Sequence, residues 1–100
     1  MKYNQPSLNK LEKILEEAHY VVRYERGSFQ SGYCILEDKK VVVLNKFLNT
    51  EGRINTLIDL IPNVVINYDL LTADAQKLYD KLMSKQAEPM LIKNDENPTG

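Results

Sequence analysis

The side chains that could act in catalysis are few and widely separated along this sequence. His19 is its one histidine and Cys34 its one cysteine. A closed zinc site needs about four ligands, and Glu16, three residues before His19 on the same predicted helix, adds only one. Cys34 has no histidine beside it to act as a base. We therefore expect a solvated histidine at a helix end, a small buried cysteine, no catalytic residues, no metal site and no cofactor.

Residue types that suit ligand binding concentrate between residues 23 and 33. This segment interleaves Arg23 and Arg26 with Tyr24, Phe29 and Tyr33. Arginine and aromatic side chains together can stack on bases and neutralise phosphates. The same residues can also form an ordinary hairpin, in which aromatic rings pack across strands and arginines pair with nearby carboxylates. Both interpretations stay open at the level of the sequence.

Lys46 and Arg53 flank the next predicted junction between a strand and a helix, and they complete the candidate set for ligand or partner binding. From residue 23 to residue 53 there are six basic and four acidic residues, a surplus of two. The whole chain has 13 basic and 14 acidic residues. Such a balance creates no field that attracts nucleic acid over long range, so nucleic-acid binding is a secondary hypothesis.

Apolar spacing predicts three helices to position these side chains. We expect capping by Ser7 for the first helix, by Asn49 or Thr50 for the second, and by Thr72 for the third. The core stripes recur at helical spacing. They comprise Leu8, Leu11, Leu15 and Ala18, then Ile54, Leu57, Ile58 and Ile61, and finally Leu71, Ala75, Leu78 and Leu82.

Three runs of β-branched and aromatic residues, at 20–26, 32–37 and 40–48, predict strands. Their simplest pairing is a three-stranded antiparallel meander in an α+β fold, with the order α-β-β-β-α-(β)-α. Residues 64–68 are either a short fourth strand or an extended connector. Residues 1–88 are expected to form a single domain, and residues 89–100 a flexible tail.

The third predicted strand is apolar on both faces. Val42 and Leu44 share one face, whereas Val41, Val43 and Phe47 lie on the other. A strand of this kind is covered on both sides, either by helices of the same chain or by another subunit. The three predicted helices can supply this cover within the chain. The alternative is pairing with a second copy, or binding to another protein, through a face or an edge of the sheet.

Residues 41–62 run from an apolar strand through a short polar turn into an amphipathic helix. The strand ends at Asn45, and Arg53 and Ile54 open the helix eight residues later. This layout resembles metallopeptidase-like proteins of the ImmA/IrrE type. In those proteins a strand ending in Asn leads, at the same distance, into a helix that opens with Arg-aromatic and carries His-Glu-x-x-His.

The chemistry of that motif is missing from this chain. Without gaps, the first histidine of the motif falls on Ile58, its glutamate on Asp59 and its second histidine on Pro62. Isoleucine and proline cannot bind zinc, and Asp59 has no metal-bound water on which to act as a base. The resemblance therefore implies an inactive or incomplete zincin-like scaffold.

The composition is that of an ordinary globular chain, with 43% hydrophobic and 27% charged residues among 100. The N-terminus has no apolar segment of the signal-peptide type, and the longest apolar run is far shorter than the ~20 residues of a membrane helix. We expect a small cytoplasmic protein without membrane contact. The predicted function is a non-catalytic binding or protein-interaction module.

Overall fold

A three-stranded mixed sheet forms the centre of the protein, and its third strand lies in the middle. The computed structural model describes residues 2–26 and 32–96, with residues 85–96 as backbone only. The strands are β1 (Val21–Glu25), β2 (Tyr33–Leu36) and β3 (Val41–Asn45). The spatial order is β1-β3-β2, with β1 parallel and β2 antiparallel to β3. The predicted α+β class is confirmed.

The predicted antiparallel meander is wrong in the position and direction of β1. Strands β2 and β3 do form the expected antiparallel hairpin, joined by a 3-10 turn at Glu37–Lys39 and by Lys40 in the left-handed conformation. Strand β1, however, pairs with β3 and not with β2. The physical reason is burial: β3 is the most apolar strand and takes the centre, while β1, which carries charged residues, lies at the edge.

In the part of the chain that the structure describes, three helices complete the fold, and three short 3-10 segments connect the elements. The helices are α1 (Gln5–Glu17), α2 (Thr50–Leu60) and α3 (Ala73–Glu96), and the 3-10 segments are Glu37–Lys39, Ile61–Asn63 and Tyr68–Leu70. Residues 64–68 form no strand, because residues 64–67 are irregular and Tyr68 begins a 3-10 segment, so this stretch is a connector. The flexibility of residues 89–100 stays a prediction.

The helices begin at residues whose side chains or carbonyls accept backbone N–H groups, and the predicted cap of the first helix is wrong. Asn4, not Ser7, caps α1, because its side-chain oxygen accepts the Ser7 N–H at 3.0 Å while Pro6 occupies the first turn. Asn49 caps α2 by accepting the Gly52 N–H at 2.7 Å. At the start of α3, the Thr72 carbonyl accepts the Gln76 N–H at 2.8 Å, so the helix begins where the sequence predicted.

The core lies between the helices and one face of the sheet. The apolar stripes of α1 and α2 are almost entirely buried, and Leu71, Ala75 and Leu82 extend the same cluster to α3. Val42 and Leu44 contribute the central strand. Within residues 2–26 and 32–96, no helix has the length and the apolar character to cross a membrane.

Candidate interaction surface

The two faces of the sheet have different surroundings. On the helix side, Val22 and Tyr24 of β1 pack against the core, as do Tyr33 and Ile35 of β2. Because side chains alternate along a strand, their neighbours point to the opposite side. We call this opposite side the open face. It consists of Val21, Arg23, Glu25, Cys34, Leu36, Val41 and Val43.

The open face is largely apolar and exposed at both edges. Val21 on β1 is 54% exposed and Leu36 on β2 is 41% exposed. Between them Val43 is only 7% exposed, because it lies on the central strand beside Arg23 and Cys34. Cys34 is a free thiol and is half-buried. The described core cluster and the residues packed against it include none of the side chains of the open face.

One exposed ion pair lies on the open face. The Arg23 guanidinium and the Glu25 carboxylate are 2.5 Å apart, and their side chains are 58% and 42% exposed. The two residues are separated by two positions on one strand, so they point to the same side. Of the predicted binding residues, Arg23 is therefore on the open face and is already paired within its own strand.

Tyr24 and Arg53 lie on the helix side of the sheet and hold elements together. The Arg53 guanidinium carbon is 4.2 Å from the centroid of the Tyr24 ring. Arg53 Nε donates to the Leu48 carbonyl at 3.0 Å, and Nη2 donates to the Lys46 carbonyl at 3.1 Å. The Tyr24 hydroxyl donates to the Glu12 carboxylate on α1. Burial and this carboxylate raise the pKa of Tyr24 above its ordinary value.

Arg26 and Lys46 meet at the carboxyl ends of the two parallel strands. Phe47, which follows β3, is 68% exposed. The Arg26 guanidinium carbon is 6.0 Å and Lys46 Nζ 5.7 Å from its ring centroid. These distances are near the outer limit for a cation–π contact. We call Arg26, Lys46 and Phe47 the carboxyl-end cluster.

The seven predicted binding residues are thus distributed over separate places. Arg23 is on the open face, Arg26 and Lys46 are in the carboxyl-end cluster, and Tyr24 and Arg53 connect β1 to the helices. Tyr33 is half-buried and packs against the core. Phe29 lies outside the described residues. The described members of the set do not converge on one cleft.

Tyr20 is a structural anchor that sequence reasoning missed. Its hydroxyl donates to Glu37 Oε1 at 2.6 Å and contacts the Val65 carbonyl oxygen at 3.1 Å. Lys40 Nζ lies 4.4 Å from the centroid of its ring. Burial and the Glu37 carboxylate raise the pKa of Tyr20 to about 12. One ring therefore joins the start of β1 to the hairpin and to the connector after α2.

A groove between α1 and α3 was also missed. It has a volume of about 660 Å³. Its lining comprises Lys10, Lys13, Thr72, Asp74, Ala75, Lys77, Leu78 and Lys81. The sequence did contain a signal for this groove. Lys10 and Lys13 are three residues apart on α1, and Lys77 and Lys81 are four residues apart on α3, so each pair lies on one face of its helix.

The strand-turn-helix layout at residues 41–62 is present in the structure, since β3 ends at Asn45 and α2 begins at Thr50. Ile58 packs against the core and Pro62 lies in a 3-10 segment. Among the described side chains, no group of three or more His, Cys, Asp or Glu residues could hold a metal ion. No family model, curated protein or solved structure matches this chain.

Proposed function

We propose that this protein is a non-catalytic interaction module that binds a second copy of itself through the open face. The observation that supports this proposal is the one-sided packing of the sheet. The described core cluster lies entirely on the helix side, yet the open face carries Val21, Leu36, Val41 and Val43. The exposed part of this apolar surface is Val21 and Leu36 on the two edge strands, and exposed apolar side chains that share one face can form part of an interaction site.

The charges on the open face favour a second copy as the occupant. A two-fold axis brings the same patch of both copies together, so that residue i contacts j while j contacts i. Arg23 and Glu25 have opposite charges and lie at neighbouring positions of the face. Across a two-fold axis each arginine can pair with the glutamate of the other copy. The face is therefore complementary to itself in charge as well as in apolar character.

The size of the face sets the expected strength of association. With strands about 4.8 Å apart and residues about 3.3 Å apart, three strands of up to five residues give a footprint of roughly 14 by 17 Å. That is roughly 240 Å², well below the ~800 Å² per partner of a standard stable interface. We therefore expect a concentration-dependent equilibrium with a dissociation constant in the micromolar range or weaker.

Sedimentation velocity over a wide range of protein concentrations tests the proposal. The wild-type chain should shift from monomer towards dimer, whereas the double variant V21D/L36D should stay monomeric at every concentration. The matched control is V65D/L70D. Val65 is 70% and Leu70 41% exposed, so the control variant adds the same charge at exposed apolar residues that are not part of the open face. The control should dimerise as the wild type does.

Two results would contradict the proposal. If the wild-type chain stays monomeric at the highest concentration, with no shift in sedimentation coefficient, the open face does not bind a second copy. Equal loss of association in V21D/L36D and V65D/L70D would mean that added charge, and not the open face, controls the equilibrium.

An inactive or incomplete zincin-like regulator is the second candidate, and the strand-turn-helix layout favours it. In this interpretation β3 and α2 keep the geometry of a metallopeptidase scaffold, while Ile58 and Pro62 occupy the positions of the ligands. Metal analysis of the purified protein separates the two candidates. Stoichiometric zinc would contradict a non-catalytic module and require ligands from elsewhere.

Weak binding of nucleic acid or of a phosphate ligand is a third candidate, supported only by the carboxyl-end cluster. Phe47 offers an exposed ring, and Arg26 and Lys46 offer charge beside it. Single-stranded DNA should then be retained at low salt, and R26A/K46A should abolish retention. Absence of retention by the wild-type chain at low salt would eliminate this candidate.

A further inference from the structure

The groove between α1 and α3 is a positively charged site in a chain whose overall charge is negative. Four lysines and one aspartate line it, so the lining carries a net charge of +3, against −1 for the whole sequence. Its floor contains the buried Ala75 and the half-buried Leu78. A charged rim above an apolar floor suits a ligand that is itself amphipathic.

Most of the positive charge in the groove has no counter-charge within the described part of the chain. Lys13 Nζ is 3.7 Å from Glu17. That carboxylate also accepts the Thr72 N–H at 2.8 Å and contacts the Thr72 hydroxyl at 3.2 Å. Among the described side chains, Lys10, Lys77 and Lys81 form no ion pair. An acidic ligand would supply the missing charge.

The arrangement of the lysines indicates the shape of that ligand. Lys10 and Lys13 lie three residues apart on the α1 wall, and Lys77 and Lys81 four residues apart on the α3 wall. Residues at these spacings occupy one helix face about 5–6 Å apart. A third helix lying between the walls could present carboxylates at the same spacing on both flanks and apolar residues to the floor.

The lining is less suited to phosphates or bases. It contains no arginine, whose planar fork binds phosphate with two hydrogen bonds, and no aromatic ring on which a base could stack. We propose that the groove between α1 and α3 binds an acidic amphipathic helix of a partner protein. This site is separate from the open face of the sheet and does not depend on self-association.

The test uses NMR of the isotopically labelled full chain with a synthetic peptide. The peptide has about 16 residues, long enough to form a helix on binding, with leucines at helical spacing and glutamates on both flanks. A control peptide carries lysine in place of every glutamate. Addition of the glutamate peptide should shift the amide signals of residues 10–13 and 72–81, with a dissociation constant below about 1 mM. The lysine peptide should shift none of them.

Charge reversal in the groove gives the second arm of the experiment. K10E/K77E should weaken binding of the glutamate peptide by about tenfold or more, because two attractive contacts become repulsive. The control K2E/K39E makes the same change in net charge at exposed lysines outside the groove and should bind as the wild type does. V21D/L36D, which targets the open face, should also retain full binding.

Several outcomes would overturn the proposal. One is the absence of shifts around the groove at about 1 mM glutamate peptide, or equal binding of both peptides. Another is equal weakening by K10E/K77E and K2E/K39E, since that would indicate only a general charge effect. A third is tighter binding of a single-stranded oligonucleotide to the same residues, which would assign the groove to nucleic acid.

Discussion

At the scale of single residues, Arg53 and Tyr20 act as connectors between segments that are distant in the sequence. Arg53 donates to two backbone carbonyls of the turn that precedes its own helix and also covers the ring of Tyr24. The hydrogen bond to the Leu48 carbonyl is partly buried and the one to the Lys46 carbonyl is exposed, so the loss of the Leu48 contact should cost more free energy. A guanidinium can make both bonds because it provides several donors in one plane. The role that the structure supports for Arg53 is to position the turn between β3 and α2.

Replacement of Arg53 by alanine should lower the free energy of unfolding by about 1–3 kcal/mol, because two backbone acceptors and an aromatic contact are lost together. Arg53→Lys should recover only part of this loss, since an ammonium group lacks the planar fork. Urea denaturation measures both values. The control Arg23→Ala removes an exposed ion pair and should cost less than about 1 kcal/mol. Equal costs for Arg53→Ala and Arg23→Ala would contradict this role for Arg53.

Tyr20 should make stability depend on pH in the alkaline range. Its pKa is about 12 in the folded protein, against an ordinary value of 10.0. Between these values the unfolded chain has lost the proton that the folded chain still holds, so stability falls as the pH rises through this interval. Below pH 10 the full contribution is present.

Tyr20→Phe should therefore be less stable at neutral pH by about 0.5–1.5 kcal/mol, the usual net value of one hydrogen bond. It should also lose stability less steeply than the wild type between about pH 10 and pH 12. Denaturation curves at several pH values measure both effects. Parallel curves for the two proteins across that interval would show that the Tyr20 hydroxyl does not control the alkaline transition.

At the scale of elements, α2 depends on a side chain outside the helix. The Asn49 oxygen accepts the Gly52 N–H at 2.7 Å, and the backbone carbonyl of Asn49 accepts the Arg53 N–H at 2.9 Å. The first N–H groups of a helix have no partner within it, so such a cap satisfies a donor that is otherwise left to water. The same turn carries the carbonyls to which Arg53 donates.

Asn49→Ala should destabilise the protein by about 1 kcal/mol, whereas Asn49→Asp should preserve most of the stability because its carboxylate can accept the same hydrogen bond. Thr50→Ala serves as the control, since Thr50 is the first helical residue and does not cap α2. Thermal or urea unfolding measures the differences. A larger loss of stability in Thr50→Ala than in Asn49→Ala would contradict the role of Asn49 as the cap of α2.

The elements also show how far the sequence determines the fold. The helical stripes were predictable because the apolar residues around Leu11 and around Leu57 recur at helical spacing and so lie on one face of their helix. This spacing is visible in a short stretch of sequence. The direction of β1 was not predictable in the same way. Both a meander and the observed mixed sheet turn Val22 and Tyr24 towards the helices, because alternation fixes the face and not the neighbour. The choice depends on contacts between distant segments.

The candidate site was less predictable than the fold for a similar reason. The segment containing Arg23 and Tyr24 looked continuous as a string of letters, but strand geometry divides these two residues between opposite faces. The groove lysines are more than sixty residues apart in the sequence and meet only through the packing of α1 on α3. Charge and aromatic content identified useful residue types, and tertiary packing decided which of them share a surface.

At the scale of the whole molecule, the described core lies on one side of the sheet and Cys34 lies on the other. The half-buried thiol of Cys34 belongs to the open face beside Val43. It can therefore report whether that face is covered, without any change to the chain. Pairing of two copies through the open face would shield the thiol from reagents in solution.

The rate of Cys34 alkylation by iodoacetamide should accordingly fall as the protein concentration rises. We expect a decrease of about twofold when half of the chains are paired, because only the unpaired half reacts. V21D/L36D should react at one rate at all concentrations. Mass spectrometry of samples quenched at intervals measures the rate. A wild-type rate that does not change with concentration, under conditions where sedimentation shows dimers, would place the interface elsewhere.

The central position of β3 also has a consequence for the order in which the chain folds. The paired residues of β2 and β3 are five to eleven positions apart, whereas those of β1 and β3 are twenty apart. Each doubling of a loop adds about 0.6 kcal/mol to the entropic cost of closing it. We therefore expect the hairpin to assemble first and β1 to dock last. Native-state hydrogen exchange should show that the β1 amides open at a lower free energy than those of β3. In a molecule whose β1 has detached, the unpaired edge of β3 would be exposed and could pair with a strand of another molecule.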